Sequence, residues 1–184
     1  QYLNKNGFIV CGFDMQGFGR SQGNRAYIKN INDLIHDMLI FIKKIQCNYA
    51  AMYKIFYLGN SLSSLLGLNL LTEYTSHLET NLDGYIFCSP LIKFNKYFDI
   101  SYNLTNFFAS IVGKYKLIDF YMLPTSDFNV NEQYINDPLT YTESCKTKTF
   151  SEIIKNQQKV KSPIYIPFIS QSENVMIPLK IKKK

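Results

Sequence analysis

A chain of 184 residues, 46% hydrophobic and 15% aromatic, has enough apolar surface to build the core of one domain. Its net charge of +6 comes from lysines scattered among Asn, Ile and Tyr, with arginine only at Arg20 and Arg25, a distribution that argues against a nucleic-acid partner. No uninterrupted apolar run approaches the ~18 residues of a membrane-spanning helix, and no charged-then-apolar leader opens the sequence.

In chain order, Phe8-Ile-Val-Cys-Gly-Phe13 reads as a short strand buried on both faces, ending at Asp14. After a glycine-rich turn, Asn32 or Asp33 is expected to cap a helix whose apolar positions Ile31, Leu34, Ile35, Met38, Ile42 and Ile45 recur every three or four residues. Lys54 to Leu58 reads as the next strand, Leu62 to about Tyr74 as the next helix, and Tyr85 to Cys88 as a third strand ending at Ser89-Pro90. Strand, helix, strand, helix, strand with short connections predicts an α/β fold: a mostly parallel sheet with helices on both faces. From Leu91 the pattern changes to an aromatic-rich stretch without strand alternation, broken at Pro124 and expected to be helical. A helix is expected near 150–158, and the sheet is expected to resume at Ile164 to Ile169, where Pro167 favours an edge position. The organisation is then a core of residues 1–90 and 160–178, a helical cap insertion over 91–159, and a solvated basic tail over 179–184.

Cys11, Cys47, Cys88 and Cys145 show no Cys-x-x-Cys pairing, and Cys11 and Cys88 fall within apolar strands, so buried reduced thiols are expected. The histidines are His36 and His77, neither near a cysteine at ligand spacing, so no metal and no cofactor is expected.

The chemistry concentrates at Gly59-Asn-Ser61-Leu-Ser63. An apolar strand runs into Gly-x-Ser-x-Ser and directly into a helix, the pattern of a nucleophile elbow. There a serine is lifted on a tight turn, and the N–H of the following residue, here Leu62, points to where an oxyanion would form. Ser63 stands where the pattern has a second glycine. The alternative is a serine serving only as a helix N-cap. Upstream by about forty residues lies Asp14-Met-Gln-Gly17-Phe-Gly19-Arg-Ser21-Gln-Gly23. Read alone, Gly17-x-Gly19-x-x-x-Gly23 also suggests a dinucleotide fingerprint, but the spacing is off by one and Asp37 falls in mid-helix.

Taken with the elbow, that turn resembles the Asp-x-x-Gly-His-Gly-x-Ser-x-Gly segment of the monoacylglycerol lipase and lysophospholipase branch of the α/β-hydrolases, with Phe18 in place of the usual His. Asn136-Asp137-Pro138-Leu139 is similar to the Asp-Pro-Leu stretch at the end of that family's cap. The resemblance implies a serine esterase of lysophospholipids or monoacylglycerols with Ser61 as nucleophile. It implies an acid after the post-cap strand, where Asn174 occupies the matching position and Glu173 beside it is the available carboxylate. It also implies a catalytic histidine beyond the last residue and an oxyanion loop before the first; the chain, opening on Gln1, is expected to be truncated at both ends.

His36, on the polar face of its helix, reads as solvated, and His77, over a dozen residues along the elbow helix, would lie roughly 20 Å from Ser61 at 1.5 Å per residue. Neither is expected to be the base, so the polypeptide alone is expected to be nearly inert. The cap aromatics Phe94, Phe98, Phe107 and Phe108 are expected to line an acyl groove. Partners are then a lipid ester and a membrane surface touched peripherally, with no nucleic acid, in the cytoplasm or at a membrane. The alternative from another class is a non-catalytic descendant that binds lipid or protein.

Overall fold

The computed structural model describes residues 2–74, 82–92, 125–160 and the backbone of two later strands, 165–169 and 176–180. A short helix, α1 (Tyr2–Lys5), leads into residues 8–13, which are extended but form no ladder, so the strand expected there is absent as a paired element. Phe8, Ile9 and Val10 stay more than half exposed, and Phe13 lays its ring 4.8 Å from that of Phe41. An apolar run becomes a strand only when another strand takes its N–H and C=O groups, and among the described residues none does.

Helix α2 (Ile31–Tyr49) begins two or three residues before its expected start. Asn30, in extended conformation, caps it by accepting from the Asn32 N–H at 3.0 Å, so the expectation of Asn32 or Asp33 as cap is corrected. The predicted stripe holds: Ile31, Leu34, Ile35, Met38 and Ile42 are buried.

Strand β1 (Phe56–Asn60) runs through Ser61 into α3 (Leu62–Asn69), which continues as a π-helical turn over Leu70–Tyr74, and β2 (Gly84–Cys88) pairs parallel to β1 from Phe56↔Gly84 to Asn60↔Cys88. The register puts Tyr57, Gly59, Tyr85 and Phe87 on one face. Helix α3 is apolar nearly all round, and so buried on two sides. Leu66 and Leu70 join the α2 stripe, while Leu65 and Leu68 meet Ile153 and Val160.

Helix α4 (Phe128–Asn136) is capped by Asp127, and α5 (Thr147–Lys159) packs against both α2 and α3. A line of side-chain bonds fastens α5 and the loop before it to residues 25–31. Lys146 Nζ donates to Arg25 O, the Thr149 hydroxyl donates to Ala26 O and accepts from the Ile28 N–H, and the Glu152 carboxylate accepts from the Ile31 N–H at the positive end of α2. Glu152 is buried and paired with Lys148 at 2.9 Å, so its charge is compensated.

The opposite sheet face carries Phe56, Leu58 and Ile86, each about half exposed, so among the described residues the helices cover one face where both were expected. Cys88 lies on that open face and Cys11 in the unpaired segment. The free thiols of Cys11, Cys47 and Cys88 are exposed, which corrects the expectation of burial. Cys145 is partly covered, and desolvation pushes its thiol up to about 11, keeping it protonated and unreactive at neutral pH. Strand β3 (Tyr165–Ile169) forms as expected but pairs antiparallel with β4 (Met176–Lys180) instead of extending the parallel pair, with Pro167 opposite Pro178. Neither proline has an N–H to give, and placing them opposite each other confines the loss to one rung.

Tyr57 ties sheet to helix. Its hydroxyl donates to Ser63 O at 2.6 Å, and its ring packs in a triangle with those of Tyr85 and Phe87, at 5.9 and 6.3 Å from them. Burial, with a smaller contribution from Tyr85, pushes its phenol up to about 12 from 10.0. The fold therefore favours the protonated phenol: this stabilisation is complete below pH 10 and is lost as pH rises toward 12, amounting to about 2 to 3 kcal/mol. Urea unfolding of Tyr57→Phe is expected to show a loss of about 1 kcal/mol at pH 7 from the missing hydrogen bond, and a shallower decline than wild type between pH 10 and 12. Parallel pH profiles for the two proteins would refute this assignment.

Candidate active site

Ser61 sits between the last residue of β1 and the first of α3, exposed above the C-terminal edge of the parallel pair. Its backbone is at φ 52, ψ −112, a strained conformation for a residue with a Cβ, costing of order 1–3 kcal/mol. Its hydroxyl makes no capping bond to the helix, so the reading of Ser61 as an ordinary N-cap is not met. Leu62 is the first helical residue, and its N–H belongs to the first turn, where no intrahelical acceptor exists.

The strain is held from several directions. Ser61 N–H donates to Cys88 O at 3.0 Å, and Ser61 O accepts from Leu65 N–H at 3.2 Å and Leu91 N–H at 3.4 Å. The buried Ser64 hydroxyl lies 2.8 Å from Gly59 O and 3.0 Å from Cys88 O, joining the ends of both strands to the helix. Gly59 is required by close approach: a Cβ there would stand 2.9 Å from Ser63 C and Ser64 N. Ser63 itself is accommodated at the second glycine position, its carbonyl gripped by Tyr57.

The glycine-rich turn is wound around Asp14. The carboxylate accepts from Arg20 N–H at 2.9 Å and the Asp14 carbonyl accepts from the Ser21 hydroxyl at 2.6 Å. Gly19, at φ +52, has no room for a Cβ, which would fall 2.2 Å from the Asp14 carboxyl carbon. Arg25 then joins the two motifs that carried the resemblance, donating to Gly19 O at 2.5 Å and to Leu139 O at 2.7 Å. Phe18 packs on the α2–α3 core. An open polar cleft of about 310 Å³ beside the turn is lined by Phe13, Asp14, Gln16, Ser21, Gln22 and Asp37, and does not include Ser61. The dinucleotide reading fails on the helix start: seven residues separate Gly23 from α2, whose first N–H groups are taken by Asn30 and Glu152.

His36 is exposed on α2. His77, Glu173 and Asn174, and the expected groove residues Phe94, Phe98, Phe107 and Phe108, lie outside the described residues. Sequence reasoning passed over Tyr57, Ser64, Arg25 and Gln157, all of which act through backbone carbonyls. The one signal for Tyr57 was its place on the same strand face as Gly59, two residues before it.

A parallel strand–turn–helix–strand unit with a strained, exposed serine at the turn is the architecture of an α/β-hydrolase. The family model described as serine aminopeptidase, S33 (Hydrolase_4) matches residues 1–165, and the chain belongs to that family. It is 27% identical to the monoglyceride lipase of Rattus norvegicus over 95 residues, which is 52% of this chain and 30% of that one. Among solved structures it is similar to the monoacylglycerol lipase of Paleococcus ferrophilus, with a TM-score of 0.66 and 20% identity over 86% of this chain and 58% of that one. It is also similar to a soluble variant of the Saccharomyces cerevisiae monoglyceride lipase in complex with a substrate analog, with a TM-score of 0.63 and 19% identity over 80% of this chain and 49% of that one. The match thus spans under a third of the rat enzyme and about half of each solved chain.

Proposed function

We propose that this chain is the nucleophile-bearing part of a serine carboxylic-ester hydrolase acting on monoacylglycerol or lysophospholipid esters. The observation that carries the reading is the backbone of Ser61, strained at φ 52 and exposed without a capping bond at the turn between β1 and α3. In this reading Ser61 Oγ attacks the acyl carbonyl as its proton passes to a base, the carbonyl electron pair moves to oxygen and is met by the Leu62 N–H, and collapse returns that proton to the departing alcohol oxygen, leaving an acyl-serine that water hydrolyses to the free acid and serine. Glu173 is the proposed acid, and Phe94, Phe98, Phe107 and Phe108 the proposed acyl groove. The monoacylglycerol part of this reading is supported by the monoglyceride and monoacylglycerol lipases that the chain is similar to, the lysophospholipid part rests on the motif resemblance, and the proposed place of action is the cytoplasm or a membrane surface touched peripherally.

A serine hydroxyl needs an oriented base, and His36, exposed on α2, is a poor candidate. A second reading, a binding module without turnover, is favoured by Phe18, which packs partly buried against the core where the family pattern has His.

The test is fluorophosphonate labelling of the folded, monomeric polypeptide with the site mapped by peptide mass spectrometry. Slow labelling at Ser61, abolished in Ser61→Ala, is the expected result. Labelling that survives Ser61→Ala would refute the assignment, and an inert Ser61 in a folded protein that retains monoacylglycerol would establish the binding module instead.

A further inference from the structure

We propose that Gln157, on α5, is a positioning residue for Ser61. It rests on the reading of Ser61 as the reactive hydroxyl. The segment after β2 grips Ser61 from both sides: Cys88 O accepts the Ser61 N–H, and the Leu91 N–H donates to Ser61 O. That segment is under strain. Ser89 is at φ 45, and Ile92 N–H donates to Pro90 O at 2.8 Å, a three-residue turn centred on Leu91. Such a conformation persists only where its surroundings over-determine it.

Among the described residues, the side chain bonded to this turn is Gln157, whose Nε2 donates to Leu91 O at 3.0 Å from 66 residues away in sequence. Helix α5 is in turn seated on α3 by Ile153 and Val160 against Leu65 and Leu68, with Leu91 and Ile92 packed on the same cluster. The Gln157 amide adds a directional bond to this apolar contact between α5 and the strained turn, and the turn sets the peptide groups on either side of Ser61. Loss of the donor frees Leu91 O, lets the 89–92 turn relax, and loosens the already long Leu91–Ser61 bond.

The test compares Gln157→Met, which keeps length without a donor, and Gln157→Glu, which keeps shape without a donor, with Gln157→Lys, which restores an N–H. Fluorophosphonate labelling of Ser61, the thermal midpoint, and amide exchange at Leu91 and Ser61 relative to Leu66 are measured in each. The Met and Glu variants are expected to label about tenfold more slowly, the size of one lost hydrogen bond, with a midpoint lowered by only about 2 to 4 °C and faster exchange at Leu91 and Ser61; Lys is expected to recover most of the rate. Unchanged labelling and exchange in the Met and Glu variants overturn the proposal, as does a slowing that Lys shares. If wild-type Ser61 does not label at all, the nucleophile reading fails on its own, and exchange at Leu91 still decides whether Gln157 holds the turn.

Discussion

Gly59→Ala is expected to abolish labelling of Ser61 and to destabilise the protein by about 2 to 4 kcal/mol, the range of over-packing against backbone that cannot rotate away. The added Cβ would stand 2.9 Å from Ser63 C, Ser64 N and a Tyr57 ring carbon. Two of those are main-chain atoms in the first turn of α3, so relief requires the helix to lift off β1. That motion would break the Tyr57–Ser63 and Ser64–Gly59 hydrogen bonds together and release the strained φ of Ser61. Stability by urea unfolding and labelling by mass spectrometry read the two consequences separately. A variant that labels at the wild-type rate would show that α3 does not need contact with β1 to hold the serine.

Phe150→Ala is expected to cost about 3 to 5 kcal/mol, from lost transfer free energy and the cavity left behind. Phe150 is among the largest side chains sealed from solvent, 1% exposed, on the turn of α5 that also carries Thr149 and Glu152. Those neighbours bond Ala26, Ile28 and Ile31, and one turn further on Ile153 meets the α3 leucines. Losing the ring should therefore loosen the glycine-rich turn and the elbow together. Denaturation followed by far-ultraviolet circular dichroism and by tyrosine fluorescence should give coincident transitions, both at lower urea. A loss under 1 kcal/mol would mean that α5 is not part of the cooperative core.

Much of the core could be read from the chain because it rests on local pattern. The α2 stripe from Ile31 to Ile42, the Leu-rich run of α3 and the Gly-x-Ser turn each need only neighbouring residues to declare themselves, since side-chain periodicity and turn chemistry act over one or two turns. Where the reading missed, the deciding partner was distant or lay outside the described residues. Phe8 to Phe13 has the composition of a buried strand, but a strand exists only through its neighbour, and among the described residues the segment stays unpaired with Cys11 exposed. Cys88 looked buried by its apolar neighbours, yet the register with Asn60 turns it to the open face.

The sequence by itself therefore determined the run from α2 through β1 and α3 to β2, the serine at the turn at position 61, and the glycines that let the chain turn around Asp14 and pass under α3. Only the tertiary structure decided what holds that serine. The bonds from Tyr57 to Ser63, Ser64 to Cys88, Arg25 to Leu139 and Gln157 to Leu91 all end on main-chain carbonyls. Every residue offers the same carbonyl, so the acceptor leaves no mark in the sequence, and the donor's choice among them is made by tertiary contacts between segments up to 114 residues apart.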